Sequence, residues 1–195
     1  MGAQVVLVRH AETEWTLNGR HTGRTDLPLT ERGREAAAAL REPLARHSFA
    51  AVLVSPSLRA RETCELAGLA EQSETVEDLL EWDYGDYEGL TSAEIHERRR
   101  DWSLWRDGCP GGEDAAAVGA RADRVLAELR AAAAEVAVFS HGHMLRVLGA
   151  RWIELDPSGG AKLGLSPGAL CLLGYEHGAP ILMGWNEPAL CRPTG

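Results

Sequence analysis

Apolar positions fall along this chain in two rhythms. Short unbroken runs, Val5-Val6-Leu7-Val8, Ala51-Val52-Leu53-Val54 and Val136-Ala137-Val138-Phe139, alternate with longer alanine- and leucine-rich stretches of helical character. An apolar run of four or five residues marks a strand covered on both faces, as in a parallel sheet flanked by helices. Strands are therefore predicted over 4–8, 50–54 and 136–139, with a weaker extended stretch beginning at Thr75-Val76. Helices are predicted over 31–41, 57–66, 92–100, 113–134 and 143–154. Thr30 is a good N-cap for the first, with Glu31 acidic in the opening turn, and Thr91 or Ser92 caps the third. Pro43 should end or kink the first helix, because its ring blocks the backbone bond of the preceding turn. Segments 169–175 and 181–185 flank His177-Gly178 as a hairpin. The stretch D-G-C-P-G-G, residues 107–112, reads as a loop. Strands alternating with helices predict a three-layer α/β/α sandwich around a mostly parallel central sheet.

The first strand runs straight into Arg9 and His10, two side chains that repel when both are cationic. Ligands of parallel sheets gather at the carboxyl ends of the strands. The third strand ends alike, on Ser140-His141-Gly142, and the second places Arg59 in the first turn of its following helix. Two histidines and two arginines thus arrive from three strand ends. They tolerate one another if a multiply charged anion sits between them. A phosphoryl group fits, since its three non-bridging oxygens match fork-shaped guanidinium donors.

Composition narrows the field. At 195 residues one domain over 1–195 is the simplest reading, large enough for a sizeable core. The net charge of −9 argues against a general nucleic-acid or anionic-membrane binder, so an anionic ligand needs a local cationic pocket. Cys64, Cys109, Cys171 and Cys191 form no C-x-x-C pair, which makes a reduced cytoplasmic protein the expectation. The opening residues carry no signal-peptide pattern, and no apolar run is long enough for a membrane span. Nothing in the sequence indicates a homodimer.

The ordered motifs R-H-A-E-T-E-W, G-R-H-T-G-R-T-D-L-P-L-T, S-P-S-L-R-A, L-L-E-W-D-Y-G-D-Y-E-G and F-S-H-G-H-M-L-R resemble the histidine phosphatase superfamily, in its phosphoglycerate-mutase-like branch. The resemblance runs from Val5 to about Arg146. Within the branch, E-W-D-Y-G-D-Y-E-G looks most like the bacterial acid-phosphatase-like members and the fungal sedoheptulose bisphosphatases. The resemblance implies that His10 is the nucleophile that becomes phosphohistidine. It implies that Arg9, Arg59 and His141 hold the phosphoryl oxygens and that Glu81 is the acid–base carboxylate. Thr22 and Gly23 match a loop that touches substrate through backbone groups; Thr16, Trp82, Gly142 and His143 are further candidates for substrate contact. The implied reaction is hydrolysis of phosphate monoesters of small metabolites, sugar phosphates or bisphosphates above all. It needs no metal or other cofactor, and no H-x-x-x-H or carboxylate cluster suggests one.

The chain departs from the family pattern at four places. Ala11 replaces a common Gly, Thr16 an Asn, and His143 the Asn of the mutases. Trp82 follows Glu81 where those mutases carry an arginine for the substrate carboxylate. A cofactor-dependent phosphoglycerate mutase is the nearest alternative. A phosphate-binding scaffold without catalysis is the alternative of another class, and it has no use for Glu81. His21, His47, His96 and His177 read as loop or solvent histidines, Trp102 and Trp105 as core packing, Arg61 as pointing away from Arg59, and Arg98–Arg100 as a solvated face.

Overall fold

The computed structural model describes residues 4–132 and 134–189. Among these residues six strands form one sheet: β1 (Gln4–Arg9), β2 (Ala51–Val54), β3 (Ser73–Thr75), β4 (Glu135–Ser140), β5 (Leu170–Glu176) and β6 (Ala179–Glu187). Their spatial order is β3-β2-β4-β1-β5-β6. The first four run parallel, and β5 and β6 join antiparallel. The hairpin between them turns at His177 and Gly178, both at positive φ, as a two-residue connection requires.

Among the described residues eight α-helices accompany the sheet: α1 (Glu14–Asn18), α2 (Glu31–Ala39), α3 (Arg41–Leu44), α4 (Leu58–Leu66), α5 (Ser92–Arg98), α6 (Leu104–Asp107), α7 (Ala115–Ala132) and α8 (Gly142–Trp152). The strand period of two divides the core between the faces. Val5, Leu7, Val136 and Val138 point one way, onto Val125 and Leu129 of α7 and Leu145 and Leu148 of α8. Val6, Val8, Ala137 and Phe139 point the other way, onto Leu40, Leu44 and, on α4, Ala60 and Cys64. The expected three-layer sandwich is what the chain forms. Each fully buried Val or Leu contributes roughly 1.5–3 kcal/mol relative to exposure, so these two cores fix the strand ends that carry the site.

Local expectations differ in detail. Residues 31–41 are not one helix: α2 stops at Ala39 and α3 restarts at Arg41. Pro43 explains the break, since its ring would clash with the carbonyl four residues back, at Ala39. Helix α7 begins two residues later than predicted. Asp114 accepts the Ala117 N–H at 2.8 Å as a cap, while Glu113 stays outside and pairs with Arg121. Helix α1 was not expected. It is a five-residue helix closed by a reciprocal cap between Thr13 and Thr16, and it ends at Gly19 with φ 72°.

Candidate active site

Strands β1 and β4 lie side by side with Arg9 opposite Ser140. The next residue on each is a histidine. The His10 N–H donates to the Ser140 carbonyl at 2.9 Å, and the His10 and His141 rings stand 5.2 Å apart, centroid to centroid. His10 Nδ1 lies 2.8 Å from the Ala11 carbonyl. A carbonyl only accepts, so Nδ1 carries the proton and Nε2 keeps its lone pair. Burial, then the charges of Arg59 and Arg9, push the His10 pKa well below the ordinary histidine range. The ring is thus neutral and lines a cavity of about 180 Å³.

The second histidine is tied at both nitrogens. Arg59 Nε donates to His141 Nδ1 at 3.2 Å, so the ring proton sits on Nε2 and points to the Ser55 hydroxyl at 2.7 Å. Arg59, fully buried, spends its other nitrogens on the carbonyls of Thr25, Thr22 and Gly23, each at 3.0 Å. The expectation set both side chains against phosphoryl oxygens. In the structure Arg59 and His141 stand behind the cavity wall, and their hydrogen bonds end on protein groups. Burial and Arg59 also hold His141 well below the usual histidine range.

Arg9 does line the cavity. One terminal nitrogen donates to the Leu165 carbonyl, and its Nε is buried with no partner among the described residues. Gly142 makes room for it: a Cβ there would lie 3.1 Å from Arg9 Cζ.

Glu81 closes the opposite side, 8% exposed. Its carboxylate accepts the N–H groups of Trp82 and Met144, each at 2.9 Å, and of His143 at 3.1 Å. Two of these belong to the first turn of α8, where unpaired N–H groups and the helix dipole favour an anion. The arrangement therefore joins a neutral imidazole with an open nitrogen, a guanidinium and a carboxylate around one small cavity. That set can perform nucleophilic displacement with acid–base help.

The profile of the histidine phosphatase superfamily (branch 1) matches residues 5–188. The chain belongs to that superfamily. It is 39% identical over 179 residues to an acid phosphatase of Mycobacterium tuberculosis, covering 90% of this chain and 88% of that protein. It is 36% identical over 182 residues to a sedoheptulose 1,7-bisphosphatase of Saccharomyces cerevisiae, covering 77% of this chain and 67% of that protein. A solved open-reading-frame product of Mycobacterium tuberculosis superposes with a TM-score of 0.91 at 36% identity, over 97% of this chain and all of that one. The expected family and enzyme class, a phosphoric monoester hydrolase, both hold.

The wall of this histidine phosphatase includes residues that the sequence reading passed over. Trp15, Arg20, His21, Tyr84 and Arg146 all line the cavity. His21 is no solvent histidine: its ring lies 4.7 Å from that of Tyr84, and burial lowers its pKa. Arg20 is committed to Glu94 and the Gly89 carbonyl. Arg146 lies 4.7 Å over the Trp105 ring and donates to the Gly160 and Ala161 carbonyls. Tyr84 stands inside the quoted motif, three residues past Glu81, so its signal was present.

Two expected contacts go elsewhere. Trp82 is fully buried and does not line the cavity; its indole N–H donates to the Glu113 carbonyl at 2.9 Å. The Gly23 N–H donates to the Glu88 carboxylate at 2.9 Å rather than into the cavity. Thr22, Thr16, Gly142 and His143 line the cavity as expected for contact residues. The Thr16 hydroxyl, however, donates to the Thr13 carbonyl at 2.8 Å and serves the cap of α1. Among the described residues no His/Cys/Asp/Glu group of three or more is placed to hold a metal. The thiols are buried, Cys64 pushed up to about 11 and Cys109 and Cys171 to about 12, so they are poor nucleophiles. Cys191 lies outside the described residues.

Proposed function

We propose that this histidine phosphatase releases inorganic phosphate from phosphate monoesters of small metabolites, with sugar phosphates or bisphosphates the favoured class, through phosphohistidine at His10. The observation that carries this is the His10 ring. Its proton is held on Nδ1 by Ala11, and its Nε2 is left open in the cavity that Glu81 and Arg9 share. The Nε2 lone pair attacks phosphorus, the P–O ester bond breaks, and the leaving oxygen takes the proton of the Glu81 carboxyl. Water then attacks phosphorus, Glu81 takes its proton, and the N–P bond breaks to free phosphate. Arg9 faces the charge that develops on the equatorial oxygens. We assign this activity to residues 1–195 acting as one domain in the cytoplasm, without metal or other cofactor.

Hydrolysis is favoured over phosphoglycerate mutation because Trp82 brings no charged fork to a substrate carboxylate. Its indole is buried beneath the cavity wall on Glu113. Losing such a charge-assisted contact costs about 1.5–3 kcal/mol, roughly ten- to a hundred-fold in binding. The relatives named acid phosphatase and sedoheptulose 1,7-bisphosphatase support the same reading. The test is incubation with 3-phosphoglycerate, with and without 2,3-bisphosphoglycerate, and separately with sedoheptulose and fructose bisphosphates. Steady phosphate release from the sugars is expected. Efficient formation of 2-phosphoglycerate with little phosphate from either sugar would restore the mutase.

A further inference from the structure

The chemistry above leaves Tyr84 and His143 unused. The Tyr84 hydroxyl lies 2.6 Å from His143 Nδ1, and one of the two atoms must donate. Burial, reinforced by the charge of Glu81, keeps the Tyr84 proton in place well above the ordinary phenol range. Burial and the charge of Arg146 keep the His143 ring neutral. The Tyr84 hydroxyl has no other hydrogen-bond partner among the described residues. A phenol is the stronger donor of the two and an imidazole nitrogen the stronger acceptor, so the hydroxyl donates to Nδ1 and the ring N–H sits on Nε2.

That N–H has no acceptor among the described residues, yet Arg9 Nε is the sole buried, unpartnered side-chain polar atom among them. Nε2 is therefore open to the cavity that His143 lines. The ring is held in place: Trp105 meets it edge-on at 5.4 Å and Trp82 at 6.2 Å. The His143 backbone N–H binds Glu81 Oε2 at 3.1 Å. This ties the backbone that carries the imidazole to the carboxylate proposed to serve the leaving oxygen.

We propose that Tyr84 locks His143 in the Nε2–H form, and that this N–H donates a hydrogen bond to a hydroxyl oxygen on the leaving group. Tyr84 is the positioning residue and His143 the specificity residue. A neutral donor suits a neutral hydroxyl, whereas a carboxylate is better met by a cation. The inference rests on the hydrolase reading and names the feature by which it selects polyol esters over bare ones.

Two measurements test it. In enzyme labelled with ¹⁵N at histidine, His143 is expected to show a protonated Nε2 and a bare Nδ1, and Tyr84→Phe a mixture of both forms. A wild-type His143 protonated on Nδ1 would overturn the lock whatever the activity. The second measurement is the kcat/KM ratio between the best sugar phosphate and p-nitrophenyl phosphate, whose leaving group has no hydroxyl. Tyr84→Phe and His143→Leu are each expected to lower that ratio about tenfold, and His143→Gln to restore it to within about threefold. A ratio within twofold of wild type in both lowering variants would overturn the proposal. Failure of the wild type to release phosphate from either compound would sink the hydrolase reading instead, while the ¹⁵N result still judges the lock.

Discussion

Two buried histidines leave neighbouring strands at the same sheet edge, and their neighbours give them opposite parts. His10 spends one nitrogen on the Ala11 carbonyl and keeps the other open. His141 spends both, one on Arg59 and one on Ser55. Residue type, burial and pKa direction are the same for the pair. The hydrogen-bond partners alone leave one ring with a free nitrogen, as the proposed nucleophile needs, and make the other a brace for Arg59 and the 22–25 loop. A histidine at a site is thus read by which of its nitrogens remains unspent.

The sharpest way to break this contrast is His10→Ala. Phosphatase turnover is expected to fall by ~10⁴-fold or more, with the circular dichroism spectrum unchanged; near-normal activity in a folded variant would reverse the two roles. Next comes Glu81→Gln, expected to lower kcat ~10²–10⁴-fold. The loss should be smaller on p-nitrophenyl phosphate, whose leaving oxygen hardly needs a proton. Equal losses on both substrates would remove Glu81 from proton transfer.

The brace is probed by Ser55→Ala, which leaves the His141 Nε2–H buried without its acceptor. A loss of ~1–3 kcal/mol in denaturant unfolding is expected, with a smaller effect on kcat than Glu81→Gln. An unchanged midpoint would show that the Ser55 bond braces nothing. The last test is pH. His10, His141 and His143 all have folded-state pKa values well below 6.5. Below about pH 6.5 the unfolded chain takes up protons that the folded chain refuses. Stability is therefore fully present above that pH and is lost as pH falls toward the depressed folded values, by up to ~1.4 kcal/mol per pH unit for each histidine. His143→Gln should flatten that slope by one histidine's share in calorimetry between pH 7.5 and 5.5; an identical slope would mean that His143 charges freely in the folded state.

Much of this was legible in the sequence because strand ends and motif order are local. The apolar runs located β1, β2 and β4, the residues that follow them named Arg9, His10, Arg59 and His141 as site candidates, and the motif resemblance added Glu81. What was not legible depends on where side chains turn after the backbone is set. Arg59 and His141 were found, but not that they bind each other, because their partners lie 82 residues apart. Trp82 is a candidate for substrate contact in the sequence because it follows Glu81, yet its indole turns inward to the carbonyl of Glu113. Helix α1 was missed because its cap uses Thr16 where a Glu or Gln is the recognisable signal. His21 was set aside because nothing local places it on Tyr84.

The order of strands also bears on how the chain is made. Strand β1 leaves the ribosome first, but its two neighbours are β4 and β5, with Val5 paired to Val136 on one side and Leu173 on the other. Its four consecutive apolar residues must wait for most of the polypeptide before either edge is covered. During that interval V-V-L-V is an unpaired, two-sided adhesive segment, the kind that nascent-chain chaperones hold. The same order forbids premature chemistry. His10 is translated well before β4, yet it cannot be positioned until β4 docks, so a product stalled or truncated before β4 carries the proposed nucleophile without a formed site.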